Sequence, residues 1–165
     1  MDWIDQLQSA WGREYPRLDV STLPPLVRLA RLAVLIEAFQ HEVLEPFELT
    51  PSDYSVLAAL RRAGEPYELS PSGLYSRLER SSGGMTKMLK RLEERGFLRR
   101  APDPDDGRAS RIRLTRSGIA VQERVFNAFL SASEDLLAPL PREKLREVDG
   151  SLRGLLGAFE KHFYE

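Results

Sequence analysis

The sequence predicts a mainly α-helical fold with one small β-hairpin. Apolar residues recur every three to four positions through about 24–44 and again through about 116–163, which is the spacing of amphipathic helices. Three shorter segments between residues 50 and 96 each open on helix-capping residues. Directly after Gly96 the apolar period changes to alternation, which is typical of β-strands. These three observations together favour a helical protein with a hairpin near its middle.

The outer helices are rich in apolar residues. A short helix over 1–13 precedes the helix of 24–44, which ends at Pro46, and two helices with Leu and Phe faces follow residue 115. Regions 1–46 and 116–165 expose more apolar surface than so small a chain covers by itself. We therefore expect both regions to form the interface of a homodimer.

The three central helices have the spacing of a helix-turn-helix. Thr50 and Pro51 open the first, with Asp53 favouring its positive end, and Gly64 follows it. Ser70 and Pro71 open the second with a weaker cap, and Ser81 or Ser82 opens the third, which closes at Gly96. The segments FLRRA and RIRLT then alternate around the turn-rich loop APDPDDGRAS. Residues 47–115 are thus predicted to form a winged helix-turn-helix lobe, with dimerisation helices at both ends of the chain.

Positive charge is concentrated in this lobe. The whole chain has a net charge of −1, but residues 81–115 contain nine Lys or Arg against five Asp or Glu. A local basic stretch in an otherwise acidic chain is typical of a surface that binds nucleic acid.

The third central helix and the hairpin have the residue types that duplex DNA requires. On a helical projection Met85, Met88, Leu89 and Leu92 share one face, and Thr86, Lys87, Lys90 and Glu94 lie opposite. Small residues near the helix start admit close approach to a major groove, basic residues bind phosphates, and hairpin arginines reach a minor groove. The predicted DNA-binding residues are Ser70, Ser82, Gly84, Thr86, Lys87, Lys90, Arg91, Arg108 and Arg111. The alternatives are a solvated amphipathic helix with a solubilising loop, or a winged-helix module that binds protein.

Other functional classes find little support. The chain has no cysteine and only two histidines, His41 and His162, which excludes disulfides and thiolate metal sites. We find no phosphate-binding loop, nucleophile elbow or metal-spaced His and carboxylate set, so we expect neither an enzyme nor a cofactor. The acidic start and the absence of an apolar run of roughly 18 residues indicate a cytoplasmic protein without a membrane partner.

These motifs resemble those of the MarR family of bacterial regulators. The hairpin has Asp106-Gly107-Arg108, followed by five residues and Leu114-Thr115. The third central helix, which would be the recognition helix of such a regulator, ends in KRLEERGFLRR. The resemblance covers about residues 24–160. It implies a two-fold dimer on a palindromic site, ligand clefts between lobe and dimer region, Arg108 in the minor groove and Asp106 stabilising the turn.

Within the family, residues 48–89 and the tryptophan-bearing N-terminal helix are similar to the urate-responsive branch. Trp11 and Arg100 match two residues of that branch's pocket, whereas Ser55 and Met88 replace an aspartate and an arginine. We therefore expect an effector less polar than urate, a planar, weakly acidic aromatic compound. Its predicted binding residues are Trp11, Tyr54, Ser55, Met88 and Arg100. The alternative is that Trp11 anchors its helix and that Arg100 is a surface charge or a phosphate contact.

Overall fold

The computed structural model of the chain describes residues 2–78, 82–103 and 110–164, with backbone alone at 82 and 83. It contains two compact units, Met1–Val125 and Phe126–Glu165. The helices are α1 (Trp3–Glu14), α2 (Leu23–Leu44), α3 (Pro51–Arg62), α4 (Pro71–Leu78), α5 (Ser82–Glu94), α6 (Arg116–Leu137) and α7 (Arg142–Tyr164), and a 3₁₀ turn (Glu45–Phe47) follows α2. The prediction of a mainly helical winged helix-turn-helix is confirmed.

The sheet has one strand more than the sequence predicted. Strands β2 (Leu98–Pro102) and β3 (Ser110–Leu114) form the expected antiparallel hairpin, and β1 (Glu68–Leu69) pairs with the other edge of β3. The order is β1-β3-β2, with Glu68 opposite Arg113 and Arg100 opposite Ile112. A strand of two residues is too short to show alternation, so sequence periodicity could not reveal β1.

The helix starts follow the capping chemistry that the sequence indicates. The Thr50 hydroxyl accepts a hydrogen bond from the Asp53 amide at 3.1 Å, and the Asp53 carboxylate accepts one from the Thr50 amide at 3.0 Å. This reciprocal pair is a capping box. Ser70 caps α4 through its hydroxyl, which accepts from the Gly73 amide at 3.1 Å.

The core of the first unit lies between the helix-turn-helix and the sheet. Its fully buried side chains include Leu57, Leu60, Leu74, Met85, Leu89, Leu92 and Ile112. At Gly118, near the start of α6, a Cβ atom would lie 2.0 Å from the carbonyl oxygen of Phe97. Only glycine allows α6 to approach the start of β2 so closely.

An ion-pair cluster joins α1 to α2. Asp2 caps α1 by accepting from the amides of Ile4 and Asp5 at 2.9 and 3.0 Å. Arg28 of α2 donates to the carboxylates of both Asp2 and Asp5. The pKa of Asp2 is lowered by its hydrogen bond from the Asp5 amide and by Arg28, and the pKa of Asp5 is lowered chiefly by its hydrogen bond from Arg28.

The second unit comprises the end of α6 and the whole of α7. Many of its large apolar side chains are exposed, among them Leu130, Leu136, Leu152, Leu156, Phe159 and Phe163, and α7 has no buried residue. An amphipathic helix whose apolar face remains in water is unfavourable in an isolated chain. The unit therefore presents a surface suited to association.

Candidate nucleic-acid interface and effector site

The two faces of α5 are separated as the sequence predicted. Met85, Leu89 and Leu92 are fully buried, and Met88 is 6% exposed. On the opposite face Gly84, Thr86, Lys87 and Lys90 are exposed, whereas the Ser82 side chain lies outside the described residues. The exposed face thus has small side chains in its first half and two lysines after them, a shape and charge that suit a DNA groove.

Glu94 competes only weakly with a DNA phosphate for the ammonium group of Lys90. The ammonium nitrogen lies 3.8 Å from the Glu94 carboxylate one helical turn away, and 75% and 64% of the two side chains are exposed. Exposed pairs of this kind contribute about 0.3–0.5 kcal/mol. A phosphate oxygen can therefore replace Glu94 at little cost.

Arg91 joins the recognition helix to α3. Its guanidinium donates to the carboxylate of Asp53, whose side chain is only 2% exposed, while 44% of the Arg91 side chain remains exposed. Asp53 thus completes the cap of α3 and also positions α5. Sequence reasoning assigned only the capping role, because a contact over 38 positions leaves no periodic signal.

The end of α5 is held by a second arginine that the sequence did not single out. Arg95 donates to the backbone carbonyls of Phe47 and Glu48, and its guanidinium carbon lies 4.8 Å from the ring centroid of Phe97. Gly96 follows with a φ of +72°, which ends the helix and starts β2. Two arginine contacts, one in the last turn of α5 and one directly after the helix, therefore fix the orientation of its C-terminal end.

The base of the wing is an ion-pair network. Arg111, the second residue of β3, donates to Asp103 at 2.9 Å and lies 4.0 Å from Glu68 of β1. Arg113 donates to Glu68 as well. Arg111 is therefore oriented by two carboxylates at the base of the wing. Asp106 and Arg108, predicted to stabilise the turn and to enter the minor groove, lie outside the described residues.

Three of the five predicted effector residues lie on α3 and α5. Tyr54 is half-buried, and burial raises the pKa of its hydroxyl, although a hydrogen bond with Gln122 acts in the opposite direction. The Ser55 hydroxyl donates to the Pro51 carbonyl at 2.8 Å, and the Met88 side chain belongs to the core. The Ser55 donor is thus used within its own helix.

The other two predicted effector residues have different neighbours. Trp11 is 45% exposed, and its ring lies 5.7 Å from that of Tyr15 in the turn after α1. Arg100 pairs with Glu93 at 3.1 Å. Separately, α2 and the first turn of α3 line a cavity of about 550 Å³ that contains none of the five residues. Their role in effector binding stays a prediction.

The described parts of the chain contain neither a metal-binding cluster nor a membrane-spanning helix. Over 2–78, 82–103 and 110–164, no group of three or more His, Asp or Glu side chains is placed to hold a metal ion. No helix in these ranges is long and apolar enough to cross a membrane.

Comparison with known proteins places this geometry in a family. A family model described as MarR family matches residues 47–109. The chain is 35% identical over 159 residues to the HTH-type transcriptional regulator PecS of Dickeya dadantii, covering 96% of this chain and 93% of PecS. It is 30% identical over 103 residues to the multiple antibiotic resistance protein MarR of Escherichia coli, covering 60% and 69% of the two chains.

Solved structures agree with this assignment. A mutant E. coli MarR complexed with operator DNA superposes with a TM-score of 0.68 at 26% identity, covering 84% of this chain and 99% of MarR. An organohalide-sensing transcriptional regulator in its 2,4-dichlorophenol-bound form has the same fold, with a TM-score of 0.71 at 21% identity, covering 91% and 85%. The chain belongs to the MarR family of non-enzymatic, DNA-binding transcriptional regulators.

Proposed function

We propose that this regulator is a cytoplasmic, ligand-responsive repressor that binds a palindromic duplex site as a homodimer. The observation that carries the proposal is the exposed face of α5, where Gly84, Thr86, Lys87 and Lys90 lie opposite a fully packed inner face. The structural relative in complex with operator DNA supports the same use of the fold.

The chemistry of each side chain indicates whether it contacts DNA bases or phosphates. Thr86 and Lys87 can reach base edges in the major groove, while Lys90 and the exposed part of Arg91 can bind phosphates. Arg108 is proposed to enter the adjacent minor groove, with Arg111 near the base of the wing. Base contacts specify sequence and phosphate contacts position the lobe, so changes in the two sets should differ in kind.

Dimerisation is supported by apolar surface in each unit considered separately. In α2, Leu32, Val34, Leu35 and Ile36 are about half exposed. The exposed side chains of α7 include Leu152, Leu156, Phe159 and Phe163. Burial of apolar surface contributes about 25 cal/mol per Å², so a second copy is a favourable cover for these helices. Two-fold symmetry then predicts inverted half-sites about 10 base pairs apart, centre to centre.

The experiment that tests DNA recognition is selection of bound duplexes from a random pool, followed by titration of the selected site. Arg108→Ala should weaken binding to many sequences and lower the salt slope by roughly one unit. Lys87→Ala should change which sequence is preferred. Arg153→Ala, an exposed arginine on α7 paired with Asp149, is the matched control and should retain affinity.

Two results would contradict the proposal. A single asymmetric selected site would argue against the symmetric dimer. Failure to select any duplex at low salt would instead favour the protein-interaction module that the same fold permits.

The effector is proposed to be a planar, weakly acidic aromatic compound held by Trp11, Tyr54, Ser55, Met88 and Arg100. An indole face can stack on a ring and a guanidinium can bind a carboxylate or phenolate. Titration of salicylate against the protein–DNA complex should release DNA, whereas urate should release it less effectively. Trp11→Phe and Arg100→Ala should weaken the release by salicylate. If both variants released DNA as readily as the wild type, the effector would have to bind at another site.

A further inference from the structure

A second candidate ligand site lies apart from the residues assigned so far. A cavity of about 440 Å³ opens in the first unit between the 3₁₀ turn after α2, the end of α5, the start of β2 and the first turns of α6. This volume is within the range of small-molecule sites. None of the residues predicted to bind DNA or the effector lines it.

The charge of the cavity lining leaves one guanidinium available to a ligand. Arg95 already donates to two backbone carbonyls and lies 3.6 Å from the Glu48 carboxylate. Arg124 is exposed, and the contact that the structure gives it is with the ring of Phe47. Among the described residues no carboxylate lies within ion-pairing distance of Arg124. Two arginines and one glutamate therefore leave a single positive charge, which suits a monoanion.

The walls of the cavity suit an aromatic ring. Phe47 and Phe97 line it and are both half-buried, so their rings are fixed while part of their surface stays open. The guanidinium carbon of Arg124 lies 5.5 Å from the ring centroid of Phe47, which holds the cation at an aromatic surface. The small side chains of Ser117 and Ala120 line the α6 side and leave room for a ligand.

We propose that this cavity binds a small aromatic monocarboxylate. Arg124 binds the carboxylate with two hydrogen bonds, and Phe47 and Phe97 contact the ring. A planar guanidinium matches a carboxylate better than any other side chain does, and the apolar walls add affinity for a ring that an acetate ion would lack. The site is distinct from the proposed effector site around Trp11 and Arg100, and its test does not depend on DNA release.

The test is calorimetric titration of the full-length protein with benzoate, and with benzamide as a neutral probe of the same shape. Benzoate should bind once per chain, and benzamide at least about tenfold more weakly, because it lacks the charge-assisted bidentate pair. Arg124→Gln should weaken benzoate binding by a similar factor. Arg116→Gln, an exposed arginine on the same helix that does not line the cavity, should change it less than twofold.

Amide chemical shifts locate the bound benzoate. Phe97 and Ser117 should shift on titration in wild type and respond less in Arg124→Gln, whose circular dichroism spectrum should match that of the wild type because Arg124 holds no ion pair among the described residues. Absence of benzoate binding at millimolar concentration would overturn the proposal. So would benzoate binding that Arg124→Gln leaves unchanged, or binding that is lost in Arg100→Ala and retained in Arg124→Gln.

Discussion

The ion pair between Asp53 and Arg91 predicts that removing one partner destabilises the fold more than removing the other. The Asp53 side chain is 2% exposed and that of Arg91 is 44% exposed. Removing either partner breaks the same contact, but it leaves a different charge behind. After Asp53→Ala the lone guanidinium can be hydrated, whereas after Arg91→Ala the lone carboxylate remains inside the protein. We therefore expect Arg91→Ala to destabilise the fold more than Asp53→Ala.

The magnitudes follow from the contacts that each change removes. Asp53→Ala loses the hydrogen bond from the charged Arg91, about 1.5 kcal/mol at the low end because water replaces it. It also loses the two hydrogen bonds that its carboxylate accepts from the Thr50 amide and hydroxyl, worth about 1 kcal/mol together. The expected loss is about 2–3 kcal/mol. Removing the cation of a fully buried ion pair, which leaves the carboxylate without its partner, costs about 3–5 kcal/mol of folding free energy. The remaining Thr50 bonds to the carboxylate reduce this to about 3–4 kcal/mol for Arg91→Ala.

The assay is urea unfolding followed by circular dichroism, at one fixed protein concentration because dissociation and unfolding are linked in a dimer. Lys90→Ala is the control, since its exposed pair with Glu94 should contribute less than about 0.5 kcal/mol. The double variant of Asp53 and Arg91 should lose less than the sum of the two single losses. The reasoning would be refuted if Arg91→Ala were no more destabilising than Asp53→Ala or than Lys90→Ala, or if the two single losses were additive.

Two further predictions concern the packing of α6 and the attachment of α1. Gly118→Ala should destabilise the protein by at least about 3 kcal/mol, because its Cβ would overlap the Phe97 carbonyl oxygen. The control is Gly84→Ala, whose Cβ would meet nothing within 4 Å and which should raise the free energy of unfolding by up to about 1 kcal/mol. Equal effects of the two substitutions in urea unfolding would contradict this prediction. The lowered pKa values of Asp2 and Asp5 make their contribution complete above the usual value near 3.8 and lost as the pH falls through the lowered values. Both tryptophans lie on α1, so their fluorescence should report this acid transition, and Arg28→Gln should move its midpoint to higher pH; an unchanged midpoint would show that Arg28 does not hold α1.

Much of the fold could be predicted because it rests on local chemistry. The Thr50 and Ser70 caps, the end of α5 at Gly96 and the alternating strands of the hairpin are each decided within a few residues of chain. The two faces of α5 were predicted for the same reason, since helical geometry alone places Met85 and Leu89 on the same side of the helix.

The contacts that orient the site could not be predicted in this way. Arg91 was expected to be a phosphate contact, and the structure also pairs it with Asp53, 38 residues earlier. Arg111 was expected to reach a minor groove from the hairpin, and the structure also pairs it with Asp103 and places it close to Glu68. Glu68 itself was missed because its strand is two residues long and is recognised by its pairing with β3.

The sequence by itself determined the capped starts of α3 and α4, the inner and outer faces of α5, the basic character of the lobe and the family. Capping, periodicity and charge are properties of neighbouring residues. Tertiary structure alone decided which arginines are paired with carboxylates and which, like Arg124, have no such partner among the described residues. The physical reason is that an ion pair depends on the distance between two side chains, and that distance is set by the packing of helices and strands remote in sequence.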